Sequence, residues 1–314
     1  MRVHPSILLG ASAVCIVSPA IFTHPVLALT GPEINRIAQQ TSVFISVQKR
    51  DRNSRGSGFT ASSNNGKYYV VTNKHVTEGW QEVSVRMHDG EYYVATNVTE
   101  FANTDLAVIE FESSRSYPVV KMAPTVEVGQ DVFVSGWPPA TLGSDGTIVR
   151  QFIYGRVSAD LESTVLGNGY QVAYSAPTEP GMSGGQVLDA SGRVVAIHGL
   201  GGLSEPEYIA SRTDRSVDDP IVSNLVSTSK TGLNYGIPVS TFLSQSAANG
   251  IYLNFDVSSE PVQALGTPVA NASDAAPNAA PDRIEDINAG LDVLNSTFDT
   301  IQRGQNVICG FLGC

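Results

Sequence analysis

Short runs rich in β-branched and aromatic residues recur from Ser42 to Ile237, and their spacing limits the fold more than any other feature of the chain. They are Ser42–Val47, Lys67–Thr72, Val83–Met87, Tyr92–Val98, Leu106–Phe111, Val132–Trp137, Ile148–Val157, Gln171–Ser175, Arg193–Ile197 and Leu233–Ile237. Clusters of Gly, Asn, Asp or Pro separate them. Many short strands at regular spacing predict an all-β barrel or sandwich. Short helices are expected on either side of this region, at Glu33–Gln40 and Val239–Ala248. A chain of 314 residues with 42% apolar content can build one large core or two small ones.

Three polar residues stand out against this apolar background. Ser183 sits in Gly181-Met182-Ser183-Gly184-Gly185, His75 in Asn73-Lys74-His75-Val76, and Asp105 in Thr104-Asp105-Leu106-Ala107-Val108-Ile109. A nucleophile, a base and an orienting carboxylate thus occur in the order His, Asp, Ser. A hydroxyl is a weak nucleophile at neutral pH and needs an adjacent imidazole to take its proton. The imidazole in turn needs a carboxylate that fixes its tautomer. Asp105 abuts an apolar strand, where an unpaired carboxylate is costly, so a partner such as His75 is expected. The glycine at 181 lets the backbone N–H groups of Gly181 and Ser183 converge on one point, as an oxyanion hole requires. Gly-x-Ser-x-Gly also marks the nucleophile elbow of α/β-hydrolases, where the order is Ser, Asp, His. Here only His198 follows Ser183, 15 residues on, which leaves no room for that order. Gly199-Leu200-Gly201-Gly202 lacks the strand–loop–helix setting of a nucleotide loop.

In these local settings His75, Asp105 and Ser183 resemble the trypsin-like serine peptidases of the chymotrypsin superfamily. The likeness extends over roughly residues 34–255 and is nearest to bacterial glutamyl endopeptidases and the HtrA-type protease domain. It implies two six-stranded antiparallel β-barrels, with His75 and Asp105 on the first, Ser183 on the second, and the site between them. It implies a serine endopeptidase that acts on protein or peptide substrates through an acyl-enzyme, without metal or cofactor. The alternative is a non-catalytic binding protein on the same scaffold. By the same likeness, Gly199, Leu200 and Gly201 form the strand that pairs with substrate backbone. Thr178 and His198 occupy the positions that bind an acidic P1 side chain in glutamyl endopeptidases. A neutral His198 in the wall of a less selective pocket is the other reading. Met182 stands where zymogen-activated members carry an aspartate, so activation through an ion pair to a freed N-terminus is not expected. Latency would need another device, such as residues 29–40 covering the cleft.

The two ends read differently. Residues 1–28 resemble a secretory signal, with Arg2, an apolar stretch from Ile7 to Phe22, and Val26-Leu27-Ala28 before a mature start near Leu29. Pro19, His24 and Pro25 disfavour an uncleaved anchor. A secreted or periplasmic bacterial enzyme is expected, with no stable membrane insertion after cleavage. A net charge of −11 argues against a nucleic-acid partner. Residues 29–255 would be the protease domain and 256–281 a flexible Ala/Pro-rich linker. Residues 282–314 would carry an amphipathic helix. Asp282 and Glu285 form its capping-box pattern, and Ile284, Ile287, Leu291, Leu294, Phe298 and Ile301 line one face. That seam, within 283–303, suits either self-association or docking on the protease domain, and the segment is too short for a PDZ domain. Cys309 and Cys314 could close a small disulfide loop or remain thiols, and they lack further ligands for zinc. The sequons at Asn97, Asn271 and Asn295 are expected by chance.

Overall fold

The computed structural model describes residues 29–50, 52–138, 148–162, 166–201, 206–213, 215–229 and 233–261. All belong to one compact unit, Met1–Thr267. The signal segment, residues 262–281 of the Ala/Pro-rich linker, the 283–303 seam, the cysteine pair and the sequons at Asn271 and Asn295 lie outside the described residues.

The described chain is mostly β, in two sheets. The first runs in the order β5-β4-β1-β2-β3-β7-β6. Its strands are β1 (Ser42–Lys49), β2 (Asn53–Asn64), β3 (Lys67–Thr72), β4 (Trp80–Arg86), β5 (Tyr92–Val94), β6 (Asn97–Glu100) and β7 (Ala107–Glu112). This sheet is curled but does not close by strand pairing. Its edges, β5 and β6, are consecutive in the chain and only three and four residues long. The link between them fills the gap, with Ala95 N–H donating to Val83 O and Thr96 N–H to Glu110 O. The expected first six-stranded barrel is therefore a seven-stranded half-barrel. Val43, Ile45, Val70, Val83, Val85, Ile109 and Phe111 fill its interior.

The second sheet closes. Its strands are β8 (Lys121–Met122), β9 (Asp131–Gly136), β10 (Gln151–Asp160), β11 (Val172–Ser175), β12 (Gln186–Leu188), β13 (Val194–Leu200), β14 (Leu233–Pro238) and β15 (Asp256–Val257). The order β12-β9-β10-β11-β14-β13 returns to β12 through the β12–β13 ladder, which makes a six-stranded barrel. Strands β8 and β15 extend it in parallel from β13. Buried Val132, Val134, Val157, Val172, Tyr174, Met182, Val187 and Val195 pack together in this barrel.

Helix α1 (Gly31–Thr41) precedes β1. Its start is fixed by a capping box, in which Thr30 N–H donates to the Glu33 carboxylate at 2.8 Å. Residues 29–40 were a candidate cover for the cleft. Leu29 N–H donates to Ala190 O at 2.7 Å and Gln186 Nε2 to Ala38 O at 3.0 Å, both on the β12–β13 hairpin, and Asn35 Oδ1 accepts from Arg150, just before β10, at 2.5 Å. Helix α2 (Lys74–Thr77) is a single turn after β3. Helices α3 (Pro206–Thr213) and α4 (Pro220–Ser229) lie between β13 and β14, and α5 (Val239–Ser246) follows β14. The first residues of the expected linker are not free. Asp256–Val257 pairs with Lys121–Met122, and Arg193 Nη1 donates to Glu260 O at 2.6 Å.

Candidate active site

Strand β3 ends at Thr72, and Asn73 turns the chain into α2, which carries His75 at its second position. Asn73 does not cap that helix with its side chain. Its amide donates instead to Asp105 O at 2.9 Å and ties the two segments together. Asp105 precedes β7, the neighbour of β3 in the sheet. The sheet register thus delivers the base and the acid to one end of the half-barrel.

The Asp105 carboxylate is gripped from both sides. Its Oδ1 accepts the His75 backbone N–H at 2.9 Å, and its Oδ2 lies 2.6 Å from His75 Nδ1. Tyr170 Oη donates to the same Oδ2 at 2.5 Å. Burial by itself would raise this carboxyl's pKa. The charge and hydrogen bond of His75, with the Tyr170 and backbone donors, outweigh it and hold the group at about 2. Asp105 is thus an anion at any working pH, and its bond to Nδ1 leaves Nε2 as the imidazole's other face.

Ser183 comes from the loop before β12. Met182 N–H donates to Glu179 O and Gly185 N–H to Met182 O, forming two successive turns. Because N–H and C=O of a trans peptide point opposite ways, the Met182 carbonyl's bond to Gly185 turns the Ser183 N–H outward. Among the described residues neither the Gly181 nor the Ser183 N–H donates to a partner. Two carbonyls of the loop are held by Ser57 of the half-barrel: its Oγ donates to Gly181 O and its N–H to Ser183 O, each at 2.8 Å. Gly184, at φ +85°, backs onto Ser57 O and Thr72 Oγ1, and a Cβ there would lie 2.1 and 2.2 Å from them. Met182 is buried in the second barrel's apolar core, beneath Gly136. The Ser183 hydroxyl donates to Gly199 O at 3.5 Å, a long contact.

His198 lies on β13, and its backbone carbonyl accepts Gly184 N–H at 2.8 Å. Its Nδ1 is 2.6 Å from Tyr174 Oη on β11. Burial, with a smaller contribution from His75, pushes the imidazole's pKa down to about 3, and burial pushes the Tyr174 phenol up. A neutral phenol therefore faces a neutral imidazole, and a hydrogen bond from Tyr174 to Nδ1 leaves the proton on Nε2. A substrate anion at this position would meet the Nε2–H donor rather than an imidazolium charge. Thr178 Oγ1 donates to Asn234 Oδ1 at 2.7 Å, and the Asn234 amide donates to Ala176 O. Gly199 marks a register break in the β13–β14 ladder, Leu200 is buried opposite Tyr235, and the backbone of Gly201 lies against the Asn234 side chain.

The structure thus joins His75 to Asp105 directly. It sets Ser183 against β13 and places His198 and Thr178 on partners, Tyr174 and Asn234, that sequence reading did not single out. Among the described residues no group of three or more His, Cys, Asp or Glu side chains could hold a metal. No helix among them is long and apolar enough to cross a membrane.

Residues 56–197 match the trypsin-like peptidase domain family. The chain is 32% identical over 158 residues to the serine protease Do-like HtrA of Lactobacillus helveticus, covering 48% of this chain and 37% of the relative. It is 33% identical over 186 residues to a probable periplasmic serine endoprotease, DegP-like, of Marinomonas sp., covering 56% of this chain and again 37% of the relative. The chain therefore spans well under half the length of these relatives. Among solved structures, an HtrA-type protease with tripeptide superposes at a TM-score of 0.53 with 21% identity, covering 71% of this chain and 65% of the other. That likeness speaks for the fold.

Proposed function

We propose that this chain, which carries a trypsin-like peptidase domain over residues 56–197, is an exported serine endopeptidase with Ser183 as nucleophile, His75 as base and Asp105 as the orienting acid. The observation that carries the reading is the 2.6 Å contact between His75 Nδ1 and an ionised, threefold hydrogen-bonded Asp105. It leaves Nε2 to serve the hydroxyl. The Ser183 hydroxyl is turned to Gly199 O, and the reading requires it to rotate toward that nitrogen. Catalytic hydrogen bonds commonly tighten only once substrate is bound.

In the first step Nε2 takes the hydroxyl proton as Oγ attacks the scissile carbonyl carbon. The resulting oxyanion is received by the N–H groups of Gly181 and Ser183. Each such donor typically contributes about 10²- to 10³-fold to rate. The imidazolium, stabilised by Asp105, protonates the leaving amine as the C–N bond breaks. Water then repeats the sequence on the acyl-enzyme, and the proton returns through His75. The backbone of Gly199, Leu200 and Gly201 offers an edge for the extended substrate. The finer reading is a preference for acidic P1 residues, with Nε2–H of a neutral His198 donating to the carboxylate, joined by the Thr178 hydroxyl once it turns from Asn234 Oδ1. Tyr174 supports that role by holding His198 in the Nε2–H form. Export rests on residues 1–28.

The test is a mixed peptide library cleaved by wild type and by Ser183→Ala. Cleavage concentrated after Glu and Asp, lost by at least about 10⁴-fold in the variant, is expected. Cleavage that persists in the variant would refute the nucleophile. Binding without any cleavage in wild type would favour a non-catalytic scaffold. Cleavage dominated by apolar or basic P1 residues would remove the acidic preference alone.

A further inference from the structure

Tyr170 makes the shortest contact to Asp105, and it comes from the turn before β11 of the other sheet. It is fully buried, and its phenol donates to Oδ2, the oxygen that also faces His75 Nδ1. The turn that carries it is unusual. Gly167, Asn168 and Gly169 all have positive φ, at +73°, +50° and +87°. This turn closes with Tyr170 N–H on Gly167 O at 3.1 Å, and Asn168 O accepts the Asp105 N–H at 3.0 Å. A Cβ on Gly169 would stand 3.0 Å from Thr104 Cγ2. One turn of the second sheet thus holds Asp105 by its backbone, by its neighbour and by its carboxylate.

A second observation comes from the opposite side of the hydroxyl. A Cβ on Gly199 would lie 2.4 Å from Tyr170 Oη and 2.8 Å from Asn73 Oδ1. Position 199 is bare where the phenol and the Asn73 amide need the space. We infer that Tyr170 is a positioning residue for the His75–Asp105 pair, its hydroxyl admitted by the glycine at 199 and sharing Oδ2 with His75.

A carboxylate this enclosed needs its lone pairs met, and a phenolic donor on Oδ2 fixes the plane that it presents to the imidazole. The phenol also draws charge from the oxygen that faces Nδ1. Without it, Oδ2 carries more charge toward the imidazolium, and the protonated base is favoured. Asp105 bonds His75 directly, Tyr170 reaches it only through the shared Asp105 Oδ2, and the nearby His198 is held neutral. Lys74 shares its helix, and Glu100 on β6 is bonded to Thr77.

This inference rests on the peptidase reading above. Its test is the pH profile of kcat/KM for Tyr170→Phe, with Tyr68→Phe as control. Tyr68 is a buried tyrosine of the first sheet whose hydroxyl donates to Arg115 O at 3.1 Å, with no tie to Asp105. Loss of a hydrogen bond to a charged group is expected to lower kcat about 10- to 100-fold with little change in KM. The acid limb should move up by roughly half a pH unit to one. Tyr68→Phe should alter neither. If Tyr170→Phe does not fold, Gly199→Ala tests the same contact, because its methyl group displaces the hydroxyl, while also pressing on the Asn73 amide. It should move the acid limb in the same direction. A folded Tyr170→Phe, or failing that a folded Gly199→Ala, with the wild-type acid limb and kcat would overturn the role of Tyr170. The peptidase reading would stand, because wild type would still cleave. An inactive wild type would overturn both.

Discussion

Gly184→Ala is the substitution for which the structure fixes the consequence most tightly. The new methyl group would sit 2.1 Å from Ser57 O and 2.2 Å from Thr72 Oγ1, neither of which is the free end of a flexible chain. Those two atoms are bonded to each other at 2.7 Å, and Ser57 and Thr72 are fully buried. The variant therefore meets two penalties. A φ of +85° costs an alanine about 1–2 kcal/mol. Disrupting a buried hydrogen bond adds about 1–3 kcal/mol. A destabilisation of roughly 2–5 kcal/mol is expected. Ser183 is the preceding residue, so relief of the clash moves the hydroxyl, and a shift of about 1 Å costs about 100-fold in rate. Gly129→Ala is the control. Its φ is +89°, but nothing lies within 4 Å of its Cβ, so only the backbone penalty applies. Urea unfolding and kcat/KM on a P1-Glu peptide would be measured for both. If Gly184→Ala lost no more stability than Gly129→Ala and kept wild-type turnover, the packing account of the Ser183 loop would be wrong.

Three further outcomes follow from the same structure. His198, at about 3 when folded against 6.5 as the free side chain, binds its proton more readily unfolded. Its contribution to stability is whole above pH 6.5 and declines as pH falls from there toward 3, and His198→Val should flatten that part of a stability–pH curve. For the same reason any acidic-P1 preference should stay constant between pH 6 and 8 apart from the limb common to all substrates; a preference that fades as pH rises through 6.5 would show that His198 binds as a cation. A chain ending at residue 261 should keep the fold and activity of the longer protein, whereas one ending at 255 loses β15 and the Glu260 carbonyl that accepts from Arg193; equal melting temperatures for the two would contradict that attachment.

The strands that alternate or run apolar, such as Lys67–Thr72 and Leu233–Pro238, were legible because burial on a sheet leaves that pattern in sequence. Strand β2 was not. Asn53–Asn64 is rich in Ser, Gly and Asn and looks like a loop, yet it is a central strand. Its glycines answer to tertiary packing: a Cβ on Gly56 would meet Val76 at 2.5 Å, and one on Gly58 would meet Val70 at 2.7 Å. Helices α3 and α4 were missed, although Asp219 before Pro220 is a start signal. Tyr92–Val98 read as one strand and is two, split where the half-barrel edges meet.

The same division holds at the site. His75, Asp105 and Ser183 announce themselves through residue type and order. Tyr170, Tyr174, Asn73, Ser57 and Asn234 are bonded to candidate residues or to their loops across long stretches of chain, and no local pattern encodes that. Gly167-Asn168-Gly169 before Tyr170 is a turn signal, but a turn does not report what the next side chain meets. His198 was found, but its charge state depends on burial beside Tyr174, which spacing cannot report.

The central claim is that Ser183 is an activated nucleophile. The direct measurement is labelling of the full chain by a fluorophosphonate, with the modified peptide identified by mass spectrometry. One label per chain on Ser183 is expected, abolished in Ser183→Ala and slowed by several orders of magnitude in His75→Ala. A wild-type protein that stays unlabelled while folded, or equal labelling of Ser183 in the absence of the His75 imidazole, would contradict it.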